Sequence, residues 1–363
     1  MNENLNDFFL FGITNQIIDK EREEFLNNSS PMINGFEVTL DKAIKKISEV
    51  LKKKKTAHLD GLACDQKSIN SILSFAEKKR LCVSHTESNE INNFYSAYQM
   101  YGASLVSFNE LRKRSDLVII VGNFEKNNLF RLKQKMNWSP RKNQNSIFFF
   151  SEKIFSIYKK EFRLKTIFDF LNLYCDCFQG MGFKNKFLDI KNKIEKSNYP
   201  VIIFNPDNDF MFTQQLLRIS EDLNNNKKKI RLFKLSGHNN SAGYVNSCVS
   251  KTGFPGSVRF TDWGVFYNPF QNISFIQKKK IDTQIFFSNL NKNPNIINFK
   301  TNIVIGHPST KNRKNYDVFI PVKTPGIDVD GIVVRSDGAG TMKLKKIIES
   351  DYIEIEELMN RIS

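Results

Sequence analysis

The sequence is poor in the side chains that usually build metal centres and disulfide frameworks. Only five cysteines and four histidines occur among 363 residues. An odd number of cysteines in a long chain argues against a set of disulfides, and reduced, mostly buried thiols are expected instead. Cys175 and Cys177 are separated by one residue, which is closer than zinc or iron–sulfur motifs usually require. No two histidines have the spacing of a hydrolytic metal site, so no metal ligand is predicted from His58, His85, His238 and His307.

Long hydrophobic runs and nucleotide-binding loops are also missing. No apolar stretch approaches the roughly 20 residues that span a bilayer, and no cleavable signal sequence is found, so a cytoplasmic protein without membrane contact is expected. The sequence has no Walker loop, no G-x-S-x-G and no G-x-G-x-x-G after a strand. These patterns bind nucleotides or carry a nucleophilic serine, and their absence leaves no catalytic residue that spacing alone predicts.

Acidic residues are scarce relative to basic ones. The 54 Lys and Arg against 38 Asp and Glu give a formal charge of +16. A nucleic-acid partner is not predicted, because no helix-turn-helix, zinc-finger spacing or aromatic stacking pattern accompanies the lysines. The abundance of Phe, Ile, Asn and Lys favours compositional drift in an A- and T-rich genome as one explanation. An attractive field for acidic partners or a polyanionic substrate is the other.

Hydrophobic periodicity predicts an α/β protein with doubly wound sheets in two lobes. Helical spacing over 41–53, about 64–80 and 89–101 alternates with short apolar runs typical of parallel strands. The predicted strands lie at 56–59, 81–84, 104–108, 117–121, 146–151, 201–204, 230–235, 302–305 and 318–322. Strands that alternate with helices favour parallel sheets with crossover helices.

The same pattern predicts where the domains divide. We expect an N-terminal arm or cap at 1–35, a first α/β lobe at 36–160 and a helical bridge at 161–196. A second α/β lobe should follow at 197–325, and a C-terminal hairpin and helix at 326–363 should return to the core. The hairpin is predicted because the β-branched run from Gly331 to Val334 ends in an Asp-Gly turn.

The densest group of polar and glycine residues follows the predicted strand 230–235. Ligands of open α/β sheets bind at the carboxyl ends of strands, glycines permit tight turns there, and His and Asn offer donors and acceptors. A polar turn that caps the next helix explains the same residues equally well. The candidate ligand-binding residues are Gly237, His238, Asn239, Asn240, Gly243, Thr252 and Gly253.

This group resembles a known family. Residues 237–243 and 252–255 are similar to the G-H-x-N-x-x-G and T-G-[YF]-P segments of the pterin-binding subunit of formylmethanofuran dehydrogenase. The segments Asp60–Gln66, Asp116–Gly122 and Pro325–Gly338 resemble further family segments in the same order, so that the resemblance spans about residues 36–350. It implies the α/β fold of the molybdopterin oxidoreductases, as in domains 1–3 of formate dehydrogenase and DMSO reductase.

In the dehydrogenase, this subunit holds a tungsten or molybdenum bis-pterin and an iron–sulfur cluster, and both need cysteine ligands. The first 63 residues here contain no cysteine, and the stretch 86–101, where the family's metal ligand is expected, contains none either. Cys82 lies earlier, inside a predicted strand. We therefore expect no pterin, tungsten, molybdenum or iron–sulfur cluster on this chain.

The resemblance then points to the cofactor-less form of the family, the corresponding subunit of the bacterial formyltransferase/hydrolase complex. That complex transfers a formyl group from tetrahydromethanopterin to a methanofuran analogue and releases formate in the one-carbon oxidation of methylotrophs. The resemblance implies a non-catalytic structural subunit in a hetero-oligomer. Its partners would be an amidohydrolase-like hydrolase subunit, a formyltransferase subunit and a third scaffold subunit. The polyglutamate tail of the methanofuran analogue is a further contact that the positive charge would favour.

Two alternatives remain open at this point. A redox-active tungsten or molybdenum subunit with unusual ligands would revive the dehydrogenase function. A basic protein that binds nucleic acid would show an affinity that falls steeply with salt.

Overall fold

The computed structural model describes residues 25, 30–53, 57–136, 147–172, 192–206, 209–225, 229–267, 281–294, 296 and 299–362. The helices are α1 (Leu40–Lys53), α2 (Gln66–Lys79), α3 (Ser88–Tyr101), α4 (Phe108–Arg114), α5 (Lys126–Met136), α6 (Phe210–Asn225), α7 (Ser241–Thr252) and α8 (Ile355–Ile362). The strands up to residue 234 are β1 (Met32–Ile33), β2 (Phe36–Glu37), β3 (His58–Ala63), β4 (Cys82–Val83), β5 (Leu117–Val121), β6 (Ile147–Ser151), β7 (Glu161–Arg163), β8 (Pro200–Phe204) and β9 (Arg231–Lys234). Those that follow are β10 (Val258–Thr261), β11 (Gly264–Tyr267), β12 (Thr283–Ser288), β13 (Thr301–Gly306), β14 (Val318–Pro321), β15 (Gly331–Val334) and β16 (Thr341–Leu344).

The chain forms two compact units, and the first is discontinuous in sequence. Unit 1 comprises Met1–Asn92 and Gly237–Ser363, and unit 2 comprises Asn93–Ser236. The α/β class is therefore confirmed, while the more specific molybdopterin-oxidoreductase fold stays a prediction.

Unit 1 is built on a nine-stranded sheet in the order β11-β10-β4-β3-β12-β13-β14-β1-β2. Its five inner strands, from β4 to β14, are parallel, while the outer pairs at both edges are antiparallel. In chain order the inner strands run 2-1-3-4-5, so the winding reverses between β3 and β12, where open α/β sheets place their ligands. Both of these strands are buried along their whole length.

The end of β3 shows why a glycine occurs in a buried strand. The register between β3 and β12 shifts between Phe286 and Ser288, and Gly61 adopts φ +86°. A Cβ on Gly61 would lie 2.8 Å from the Phe286 ring. Only glycine fits this bulge, because it tolerates both the positive φ and the close aromatic contact. The strand therefore continues to Ala63, beyond the predicted end at residue 59.

Unit 2 contains a fully parallel five-stranded sheet in the order β7-β6-β5-β8-β9. Successive residues of β5 enter different hydrophobic clusters, with Ile119 on one face and Val118 and Ile120 on the other. A strand has a side-chain period of two, so this unbroken apolar run serves two buried faces, as in doubly wound sheets.

The observed units differ from the predicted lobes 36–160 and 197–325. Strands β5 and β6 pair in one sheet with β8 and β9, whereas β3 and β4 join β12, β13 and β14. Alternating strands and helices predict crossovers but do not reveal which distant strand becomes a neighbour. The lobe boundaries could not be placed from periodicity for this reason.

Several smaller predictions also differ from the structure. The predicted strand 104–108 makes only an isolated bridge at Leu105, and α4 begins at Phe108. The predicted bridge 161–196 starts as strand β7, and residues 173–191 of it lie outside the described residues. Most of the predicted arm 1–35 also lies outside them, although its end forms β1, which pairs with β14. The C-terminal segment contains the hairpin β15–β16 and helix α8.

None of the helices in the described part of the chain has both the length and the apolar character needed to cross a lipid bilayer.

Candidate functional site

The loop Gly237–Asn240, which precedes α7, lies in unit 1 at the carboxyl ends of β3 and β4. Asn240 Nδ2 donates to the carbonyl of Cys64, the residue after β3, at 2.9 Å. His85, two residues after β4, donates from Nε2 to the carbonyl of Asn239 at 3.0 Å. The predicted loop therefore lies at the sheet edge where ligands of α/β proteins bind.

Asn240 ties this loop to two other segments of unit 1. Its Nδ2 contacts Cys64, and its Oδ1 accepts the backbone N–H of Val334 in β15 at 2.8 Å. The side chain is buried and the backbone is left-handed, with φ 58°. A Cβ on Gly243 would lie 2.7 Å from Asn240 Cγ, so the glycine makes room for the asparagine. Both predicted residues hold the loop in place by contacts within the protein.

Gly237 and Asn239 are anchored by two carboxylates at the start of α3. The backbone N–H of Gly237 donates to Glu90 Oε2 at 2.8 Å, and Asn239 Nδ2 donates to Glu87 Oε1 at 3.0 Å. Gly237 has φ +101°, and a Cβ there would lie 3.0 Å from Cβ of Ser336. The donors that a ligand could use on these two residues are therefore already occupied.

His238 differs from its neighbours because its side chain faces solvent. It is the one exposed residue between 237 and 243, and its backbone carbonyl accepts the N–H of Ser241. Ser241 Oγ is buried and has no hydrogen-bond partner among the described residues. This loop thus offers one accessible imidazole, without a neighbouring carboxylate bound to it in the part of the chain that the structure describes.

Thr252 and Gly253 lie at the other end of α7. The helix has 12 residues, which corresponds to about 18 Å at 1.5 Å per residue. Thr252 Oγ1 donates to the carbonyl of Cys248 at 2.6 Å and accepts the N–H of Phe254 at 3.1 Å. Gly253 closes the helix with φ +80°, a conformation that favours glycine. The structure therefore separates these two residues from the Gly237–Gly243 loop and gives them a helix-ending role.

A buried polar network near the ends of β3 and β4 was missed by the sequence analysis. Ser84 Oγ donates to Asp60 Oδ1 at 2.7 Å and contacts His58 Nε2 at 2.7 Å. Gln284 Nε2 donates to Asp60 Oδ2 at 2.9 Å. His58 and Asp60 are two residues apart in one strand, and Gln284 pairs with His58 in the neighbouring strand. Polar residues at that spacing within apolar strands were the available signal.

Burial determines the protonation of the histidines around this edge. The pKa of His85 falls to about 4, chiefly because burial disfavours the charged ring. Its Nδ1 accepts the N–H of Glu87 at 3.0 Å, which leaves the proton on Nε2 for Asn239. Burial likewise lowers the pKa of His58, against the opposing effect of Asp60. Both rings are neutral at pH 7 and closed to solvent, so they act as structural hydrogen-bonding groups.

The cysteines that the structure describes do not fit a tungsten, molybdenum or iron–sulfur site. Burial raises the pKa of the Cys64 thiol strongly, and that of Cys248 to about 11, whereas metal ligation needs accessible thiolates. Cys82 is buried in β4. No three His, Cys, Asp or Glu side chains within the described ranges are arranged to hold a metal ion. Cys175 and Cys177 lie outside those ranges.

Comparison with known proteins identifies the fold. No family model and no curated protein sequence matches the chain. A solved chain of the formyltransferase/hydrolase complex (FhcABCD) from Methylorubrum extorquens, crystallised with methylofuran, matches with a TM-score of 0.77. The match covers 92% of this chain and 97% of that one at 15% identity. The two chains share a fold. The likeness extends over almost the whole length of both, so it includes both compact units.

Proposed function

We propose that this chain is a non-catalytic structural subunit of a formyltransferase/hydrolase complex, which moves a formyl group from tetrahydromethanopterin to a methanofuran analogue and releases formate. The observation that carries the proposal is the likeness in fold to a chain of such a complex, with a TM-score of 0.77 over 92% of this chain. The order of the resembling sequence segments, from residue 60 to residue 338, supports it independently.

The geometry of the Gly237–Gly243 loop supports the non-catalytic part of the proposal. The side chains of Asn239 and Asn240 and the backbone N–H of Gly237 bind other groups of the protein. The hairpin β15–β16 also packs at this edge, because Val333 and Leu344 share a hydrophobic cluster with Leu290, which follows β12. The loop and the hairpin together fill the region where an α/β sheet would bind its ligand, so we interpret the loop as a remnant of an ancestral ligand pocket.

The proposed partners are an amidohydrolase-like hydrolase subunit, a formyltransferase subunit and a third scaffold subunit, in the cytoplasm. The chemistry would belong to the hydrolase and the formyltransferase, with no cofactor bound by this chain. The charge of +16 would attract the polyglutamate tail of a methanofuran analogue toward the neighbouring active site. The proposal predicts that raising the ionic strength slows capture of the polyglutamylated substrate more than capture of a substrate without the tail.

The exposed imidazole of His238 gives a direct test of the non-catalytic role. His238→Ala in the assembled complex should leave formate release within about twofold of the wild type, because losing a true acid–base group usually costs about a hundredfold or more. The matched control is His238→Gln, which keeps a polar side chain. A loss of about a hundredfold with assembly intact, rescued in neither variant, would contradict the proposal and place chemistry on this chain.

A further inference from the structure

The hairpin formed by β10 and β11 exposes two aromatic side chains at the edge of the nine-stranded sheet. Trp263, in the turn between the strands, is 95% exposed, and Phe266 in β11 is 66% exposed. Strand β11 is the terminal strand of the sheet, and no other described strand pairs with its outer edge. Half of the backbone N–H and C=O groups of such a strand point away from the sheet.

The hairpin is held in a fixed conformation rather than left loose. Thr261 Oγ1 accepts the N–H of Trp263 at 3.2 Å and donates to the carbonyl of Gly264 at 2.8 Å. Gly264 has φ +113° with nothing within 4 Å of a Cβ, so glycine is needed there for its backbone conformation alone. Phe260 is buried on the core side of β10. The exposed rings are therefore presented by a structured, pre-organised edge, which lowers the entropic cost of binding.

Basic side chains surround the exposed rings. Phe266 pairs across the hairpin with Arg259, so both side chains lie on the same face. The last turn of α2 adjoins the hairpin through an ion pair between Arg80 and Asp262. Lys78 and Lys79, in that turn, are exposed and form no ion pair with the described residues. Asp262 is thus outnumbered by cations on this surface.

We infer that this edge, defined by Arg259, Trp263, Phe266 and the turn Lys78–Arg80, receives an acidic segment of another subunit of the complex. The segment would add an extended strand to β11, place apolar side chains on the two rings and bring carboxylates near the lysines. Exposed aromatic residues of this size at a free edge are typical interface anchors. A second copy of this chain fits less well, because it would bring the same cations together.

The inference rests on the proposed function and names a contact within that complex. The test purifies the assembled complex through a tag on this chain, as the wild type and as the double variant Trp263→Ser, Phe266→Ser. The matched control is Phe36→Ser, which removes a 77% exposed ring at the opposite edge of the same sheet. We expect the double variant to hold one partner subunit at least about tenfold more weakly, as for interface aromatics elsewhere. The control should retain the wild-type stoichiometry.

Two further measurements identify the occupant. A photo-crosslinking amino acid at position 266 should join this chain to an acidic stretch of that same subunit. With Trp138→Phe, Trp263 becomes the sole tryptophan, and its quenching by acrylamide should fall on assembly. Lys78→Glu with Lys79→Glu should weaken the same partner without altering the melting temperature of the isolated chain.

The outcomes separate the two proposals. A wild-type complex whose stoichiometry and quenching are unchanged by the double variant would overturn the inference and leave the proposed function standing. Crosslinks only to a second copy of the chain, or to nucleic acid, would overturn it in the same way. A wild-type chain that purifies with no partner subunit would overturn the proposed function and this inference together.

Discussion

The role of Asn240 as a brace between three segments leads to a quantitative prediction. Its side chain satisfies the carbonyl of Cys64 and the N–H of Val334, both in the interior. Asn240→Ala leaves a donor and an acceptor without partners, and each unsatisfied buried group costs about 1–3 kcal/mol. Alanine also loses about 1 kcal/mol in a left-handed conformation. The expected loss in the free energy of unfolding is therefore about 3–5 kcal/mol.

Asn312 provides a matched control for the backbone contribution. It is also left-handed, with φ 57°, but it is exposed and makes no side-chain capping hydrogen bond. Asn312→Ala should therefore cost only about 1 kcal/mol. The difference between the two variants, about 2–4 kcal/mol, isolates the buried hydrogen bonds.

The assay is urea denaturation of the isolated chain, with the midpoint and slope of each transition fitted separately. A fall in the midpoint at constant slope reports a loss of stability. The reasoning would be refuted if Asn240→Ala and Asn312→Ala differed by less than about 0.5 kcal/mol. Such a result would mean that water or a local rearrangement satisfies the backbone groups of Cys64 and Val334.

Two other predictions concern the same edge of the sheet. Gly243→Ala should destabilise unit 1 by about 1–3 kcal/mol, because the new methyl group meets the side chain of Asn240, whereas Gly340→Ala, with nothing within 4 Å, should change the urea midpoint little; equal effects would contradict the packing argument. The pKa of His85 is about 4 in the folded protein against an ordinary value of 6.5, so the unfolded chain binds the extra proton first and stability falls as the pH drops from about 7 to 5, by about 2 kcal/mol from this residue. His85→Gln keeps a donor for Asn239 but cannot titrate, and its stability should fall by about 2 kcal/mol less over the same pH range; parallel pH curves for the variant and the wild type would show that His85 is not responsible.

Local elements were predictable wherever the side-chain pattern was long and regular. The run Leu117–Val121 became β5, and the run Val201–Phe204 became most of β8. The prediction failed at 104–108, where an apolar alternation was interpreted as a strand. The signal against it was present, because Ser107 and Glu110 form a capping box that starts α4.

Sheet membership was not predictable from the same patterns. β12 lies at the centre of the nine-stranded sheet, yet its first residues, Thr283 and Gln284, are polar and hid the strand. Their polarity is satisfied by long-range partners, since Gln284 donates to Asp60. Pairings of this kind, between residues far apart in the sequence, depend on the assembled fold and leave little local trace.

The candidate loop was located correctly at a strand edge, but its partners were not foreseeable. Asn240 binds the backbone of Cys64 and Val334, and backbone groups have no sequence signature. Grouping Thr252 and Gly253 with the loop was suggested by their proximity in sequence, whereas α7 holds them at its far end.

The central claim is that this chain is a subunit without a redox centre, and its most direct test is the metal and pterin content of the native complex. The complex would be purified through a tag on this chain, its subunits identified by mass, and its metals and pterin quantified per chain. The account predicts a hydrolase and a formyltransferase subunit, a metal of the zinc type assigned to the hydrolase, and no tungsten, molybdenum or pterin. Stoichiometric pterin with tungsten or molybdenum bound to this chain would contradict it and establish a dehydrogenase subunit instead.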